Sequence, residues 1–219
     1  MKARLTLLTF VAVASTLFAL PVSAGTLLYD NGPVGNGYTG AFDIWGGYSV
    51  TDSFTLAAAS TLTTAQVGLW TYISEAPPDS LNWSITTSPL GGATVASGVA
   101  ALTNAFVGVG YYTEYYVYQS TFSLGGASLA AGTYYLQLDQ GTSSGGDFLL
   151  WDVNNGPSQA WNNSVGSVFG QCAVGATSCS ESFQIYGSPG STVPEPGTLA
   201  LTASALLGAV GFLRRKLSL

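Results

Sequence analysis

Tyr48-Ser49-Val50-Thr51-Asp52-Ser53-Phe54-Thr55-Leu56 alternates with a period of two, so that Val50, Phe54 and Leu56 fall on one face of an extended chain, around Asp52. One face packs inward and the other meets water. The same period recurs in Leu81-Asn82-Trp83-Ser84-Ile85, where Leu81, Trp83 and Ile85 lie opposite Asn82 and Ser84. Outward from these two segments, short runs rich in Thr, Val, Tyr, Phe and Trp, broken by Gly, Pro, Asn and Ser, fill the chain from Gly25 to Gly187. They predict strands over 27–30, 48–56, 62–73, 81–87, 94–102, 114–124, 132–140, 148–153 and 181–186. Nine strands in this span suit an all-β, two-sheet sandwich of the jelly-roll kind. The Ala-rich stretch 56–65 comes nearest to a helix, but its threonines and the following Val67-Gly68-Leu69-Trp70 favour strand.

The chain has 219 residues, 7% of them charged, and no histidine. Without an imidazole, Ser/His/Asp and Cys/His nucleophile schemes and most zinc sites are excluded. All five basic residues lie at the ends, as Lys2, Arg4, Arg214, Arg215 and Lys216. Ten of the eleven acids lie between residues 25 and 193, where there is no Lys or Arg at all. The field of such a body repels phosphate backbones and anionic headgroups, which excludes nucleic acid as a partner.

Both ends read as addresses. Lys2 and Arg4 precede an apolar run from Leu5 to Leu20, Pro21 breaks it, and Val22-Ser23-Ala24 offers a small-residue cleavage site before Gly25. Residues 1–24 are thus expected to be a signal peptide, and the protein to be exported. At the other end, a linker-like stretch over 188–193 leads to Pro194-Glu195-Pro196, an apolar run over 197–213 and Arg214-Arg215-Lys216. Seventeen apolar residues reach the lower limit of a spanning helix, and the trailing positive charges hold that end in the cytoplasm. Proline on both sides keeps Glu195 extended and accessible to a processing enzyme.

The order Val193-Pro194-Glu195-Pro196-Gly197-Thr198, short span and arginine-rich tail resembles the PEP-CTERM sorting signal of Gram-negative bacteria. The resemblance covers residues 194–219 and implies a partner, an exosortase-type membrane enzyme that recognises the motif and passes the protein from the inner membrane to the cell surface or matrix. It also implies a setting of exopolysaccharide and biofilm. In the body, Asp52-Ser53-Phe54-Thr55-Leu56, the segment from Ser128 to Leu136 and Phe183-Gln184-Ile185-Tyr186-Gly187 resemble the choice-of-anchor domains found with such tails. That second resemblance implies a β-rich exported module spanning 25–187 and adds no chemistry.

Several constellations remain. Cys172 and Cys179, the two cysteines of an exported chain, are expected to form a disulfide, whose loop closure is worth roughly 2.5 kcal/mol. Tyr29-Asp30-Asn31-Gly32-Pro33 is echoed by Trp151-Asp152 with Asn154-Asn155-Gly156-Pro157. Asx-Gly-Pro is first of all turn chemistry, and the alternative is a calcium site drawing oxygens from Asp30, Asp152 and Asn154; otherwise no cofactor is expected. Among the crowded tyrosines, alternation puts Tyr116 and Tyr118 on one strand face and Tyr115 on the other, which makes Tyr116 and Tyr118 candidate sugar contacts; core packing is the competing explanation. No motif singles out a carboxylate pair for glycoside cleavage. The reading is a non-enzymatic surface or matrix protein, structural or adhesive, with a carbohydrate-binding module and then a glycoside-active enzyme as alternatives.

Overall fold

Side chains that branch at Cβ, together with aromatic rings, favour a pleated, half-buried surface, and they carry most of this chain into strands. The computed structural model describes residues 25–32, 34, 40–75, 77–110, 113–164, 167–171, 173–174, 177–178 and 180–190. The signal segment, the sorting tail, Cys172 and Cys179 lie outside the described residues. In chain order the strands begin with β1 (Thr26–Asp30), β2 (Ala41–Asp43), β3 (Ser49–Leu56), β4 (Ser60–Tyr72), β5 (Pro78–Thr86) and β6 (Thr94–Ala101). They continue with β7 (Thr103–Val109), β8 (Tyr115–Leu129), β9 (Gly132–Ser143), β10 (Leu150–Asn154) and β11 (Ala160–Ser164). Last come β12 (Ser167–Gln171), β13 (Ala173–Val174), β14 (Thr177–Ser178), β15 (Ser180–Glu181) and β16 (Phe183–Pro189).

The protein is all-β, with two sheets packed face to face. One is eight-stranded and built on the long β4, which pairs with β16 and β10 along one edge and with β8 along the other. The second runs β12-β11-β3-β9-β5-β6, and β13 and β14 form a separate hairpin. Every pairing in both sheets is antiparallel. The chain swaps sheets repeatedly, and between β6 and β7 it does so across a single residue, Leu102.

The expected faces are the inner ones. Val50, Phe54 and Leu56 from β3, with Leu81, Trp83 and Ile85 from β5, meet Leu62, Val67, Leu69, Phe122, Trp151 and Phe183 from the opposite sheet. A bulge, Gly125-Gly126 on β8 at φ 67° and 77° against residue 63 of β4, lets both Leu62 and Ala65 face inward although they are three apart. The Ala-rich stretch enters β4 at Ser60. β16 runs on through Pro189, where Ser188 and Pro189 pair with Thr61 and Ser60, so the sheet takes in the first residues of the 188–193 stretch.

Strands β2, β7, β11, β12, β13 and β14 have no counterpart among the expected nine. β2 is too short to show a period. In Ala160-Trp161-Asn162-Asn163-Ser164 the composition is that of a loop, and pairing of residues 160–163 with Asp52 to Ser49 makes it a strand. Tertiary pairing overrides local propensity there.

Candidate functional site

The two echoing Asn-Gly-Pro loops meet. β1 delivers Asn31 and β10 delivers Asn154 to the same end of the sandwich, where Asn154 Nδ2 donates to the Asn31 carbonyl. The contact is reciprocal: a Cβ on Gly156 would lie 2.4 Å from the Asn31 carbonyl oxygen, and one on Gly32 2.9 Å from Asn154 Nδ2. Each glycine therefore leaves the space that the other loop's asparagine fills, and the repeated Asn and Gly are the matching halves of one junction.

Asn31, fully buried, is the centre of that junction. Its Oδ1 accepts from Tyr29 Oη and the Ser158 amide, both at 3.2 Å. Its Nδ2 donates to Ser180 Oγ and the Glu181 carbonyl, each at 2.6 Å, and to Asp52 Oδ2 at 3.2 Å. Asp52 also accepts from the amides of Ser53 and Glu181, both at 2.6 Å. Asp152 Oδ1 accepts from Trp70 Nε1 at 2.8 Å, and the Trp151 indole donates to the Ser182 carbonyl at 3.0 Å. Three acids, Asp52, Asp152 and Glu181, are thus fully buried.

No Lys or Arg occurs among the described residues, so within them these acids are met by neutral donors. Burial pushes the Asp52 carboxyl up from 3.8 to about 7, against hydrogen bonds from Ser158, Glu181, Ser53 and Ser180 that favour its ionised form. Burial also raises Glu181 well above the usual carboxylate range, and the charges of Asp52 and Asp152 raise it further. Tyr29, half-buried beside them, is pushed to about 12 by burial first and then by Asp52. The cluster can therefore hold a proton at neutral pH.

The three residues considered for calcium each take part in hydrogen bonds within the protein. Asp30 lies exposed and accepts from the Gly32 amide and Gln184 Nε2, both at 2.9 Å; its bond to Gly32 is the turn reading of this loop. Asp152 faces Trp70, and Asn154 Oδ1 accepts from the Gly156 amide at 2.9 Å. Among the described residues no group of three or more His, Cys, Asp and Glu is placed to hold a metal ion.

Tyr116 and Tyr118 share a face of β8, where Phe106 packs edge-on against both, with centroids at 5.3 and 5.7 Å. Phe106 is 58% exposed and Tyr118 only 9%, so Tyr118 offers little ring to a ligand. Tyr115, on the other face, joins a stack in which Tyr72 lies 4.1 Å from Phe148 and 4.9 Å from Tyr115. Those rings spend faces on one another. Residues Ala24, Pro194, Glu195, Pro196, Arg214, Arg215 and Lys216, like the two cysteines, lie outside the described residues.

Asn31, Glu181 and Ser180 were not among the residues that sequence reasoning singled out for a site. Two signals pointed to this junction: the echo of the two Asn-Gly-Pro loops, and Asp52, an acid in line with Val50, Phe54 and Leu56 on an otherwise apolar face. No protein-family model matches this chain, and no curated protein matches it.

Proposed function

We propose that this is an exported surface or extracellular-matrix protein, sorted through Pro194-Glu195-Pro196, whose sandwich is structural or adhesive in an exopolysaccharide setting. The observation that supports this reading best is the fit of the folded body between its two addresses. β1 begins at Thr26, just past the expected cleavage after Ala24, and β16 ends at Pro189, just before Pro194. These two strands are neighbours, with Thr26 opposite Gly187, so the chain enters and leaves the sheet at one place. Removing either address therefore takes no residue from the ladders of the described strands. The finer jelly-roll arrangement belongs to the same reading.

On this reading an exosortase-type enzyme binds the extended Pro-Glu-Pro segment while the apolar run 197–213 holds the precursor in the inner membrane. The body acts without catalysis: its gathered acids are buried against amides and hydroxyls, which suits a fixed, rigid module. Intact-mass measurement of protein recovered from the surface of the producing cell tests the proposal. The expected species begins at Gly25, lacks the segment after the motif and carries the mass of a joined Cys172–Cys179 pair. Bulk surface material that still ends at Leu219 would overturn the sorting step.

A further inference from the structure

The outer face of the six-stranded sheet is polar. Trp161, Thr51, Gln137, Ser84 and Ser97 are successive register partners across β11, β3, β9, β5 and β6; Thr51 is fully buried within the row, and the other four reach solvent. Five strands at about 4.8 Å spacing make this row roughly 19 Å long. The next row places Asp139 beside Asn82. Two hollows open on the face, one of about 340 Å³ lined by Asn82, Ser84 and Asp139 and one of about 260 Å³ lined by Gln137 and Asn163. Gln137 Nε2 donates to Asp139 Oδ2 at 3.1 Å and Gln137 Oε1 accepts from Thr51 Oγ1 at 3.4 Å, so the groups between the hollows are already oriented. At one end Trp161 meets Tyr135 edge to face at 5.5 Å, which fixes the indole without a stacked ring over it.

The chemistry of the face selects its ligand. It offers amides, hydroxyls and one carboxylate, with the exposed Val99 at its β6 edge and no cation anywhere between residues 25 and 193, so phosphate, sulfate and uronate polymers are repelled. A protein partner needs an apolar, charge-poor centre, and here the centre is Gln137, Ser84 and Asp139. A row of hydroxyls and an amide, each able to donate and accept, ending in an aromatic ring suits a hydroxyl-rich, uncharged chain, whose hydroxyls bond the amides while its C–H faces pack on the indole. We infer that this face binds a neutral polysaccharide laid across the strands, with Gln137, Asp139, Asn82 and Ser84 meeting hydroxyls and Trp161 packing against a sugar ring. The site is on the opposite sheet from Tyr116 and Tyr118 and does not depend on the sorting tail.

Affinity electrophoresis of the full chain in neutral detergent, through gels containing laminarin, barley β-glucan, galactomannan or dextran, tests the inference, with polygalacturonate as the anionic comparison. At least one neutral polymer is expected to retard the protein, and polygalacturonate is not. Trp161→Ala is expected to weaken that retardation at least about tenfold, as is Ser84→Tyr, which fills a hollow from a solvent-facing position; Tyr116→Ala is expected to leave it unchanged. Thermal unfolding of each variant separates lost binding from lost folding, and if Trp161→Ala unfolds, Ser84→Tyr and Gln137→Ala decide. Absence of retardation in all four neutral gels, undiminished retardation in a folded Ser84→Tyr variant, or loss on Tyr116→Ala alone would overturn it.

Discussion

Replacing Asp52 by Asn should reduce the pH dependence of stability in a definite window. The Asp52 carboxyl titrates near 7 in the folded protein and near its ordinary 3.8 once unfolded. Between those values the folded state holds more protons than the unfolded state, so stability falls as pH rises. At 1.36 kcal/mol per pH unit the full difference is about 4 kcal/mol, present as stability below pH 4 and lost above pH 7. Between pH 5 and 8 the change is about 2.5 kcal/mol, or a melting point roughly 5–10 °C lower at pH 8. Glu181, raised by burial and by its acid neighbours, acts in the same direction. A chain with no histidine adds no imidazole titration to this window, which leaves it to the buried acids.

The amide introduced by Asp52→Asn would be neutral at every pH but has one oxygen where the carboxylate has two, while the amides of Ser53 and Glu181 both donate to this side chain. At pH 5 the variant should therefore be about 1–3 kcal/mol less stable than wild type. At pH 8, where wild type carries the buried charge, the two should draw level or cross. Thermal unfolding of the full chain in one detergent, buffered at pH 5, 6, 7 and 8, measures both slopes. A wild-type melting point that is flat or rises from pH 5 to 8, or an Asp52→Asn slope equal to wild type, would refute the reasoning.

Two further outcomes follow from the junction and the tail. Asn31→Ala removes five side-chain hydrogen bonds at a fully buried position and should cost at least about 3 kcal/mol, read as a lowered denaturant midpoint. Glu195→Gln keeps size and hydrogen bonding but removes the only acid of the tail, so uncleaved precursor should accumulate in the inner membrane, with processing roughly 10–100-fold slower in pulse-chase; Asp30→Asn, a body acid exposed to solvent, should leave processing at the wild-type rate.

What the sequence displayed and what it concealed divide along one physical line. Period-two alternation is a property of each strand by itself, so the inner faces of β3 and β5 and the opposite sides taken by Tyr115 and Tyr116 were legible in advance. β11 was not, because its strand character comes from pairing with β3, more than a hundred residues earlier in the chain. The junction was half visible. Asp52 stood out as an acid on an apolar face, but its partners Asn31 and Glu181 lie 21 and 129 residues away, and no local pattern announces such a meeting. The echo of the two Asn-Gly-Pro loops was visible as a repeat, while the reason for it, each glycine leaving room for the other's asparagine, needs both loops in space.

The composition explains why the junction has the form it does. A chain that buries three acids usually pairs them with Arg or Lys, and an unpaired buried carboxylate costs several kcal/mol. Between residues 25 and 193 that remedy does not exist. What remains is to surround the acids with neutral donors and to keep a proton among them. The amides of Asn31, Ser53 and Glu181 serve Asp52, and the indole of Trp70 serves Asp152. The raised affinity of Asp52 and Glu181 for protons supplies the rest. With Asp52 and Glu181 raised by burial, such a cluster stabilises the end of the sandwich more when protonated than when fully ionised. The absence of bases that makes the surface repel anions thus also ties the stability of the core to the pH of the exterior, and the two properties have one origin in the sequence.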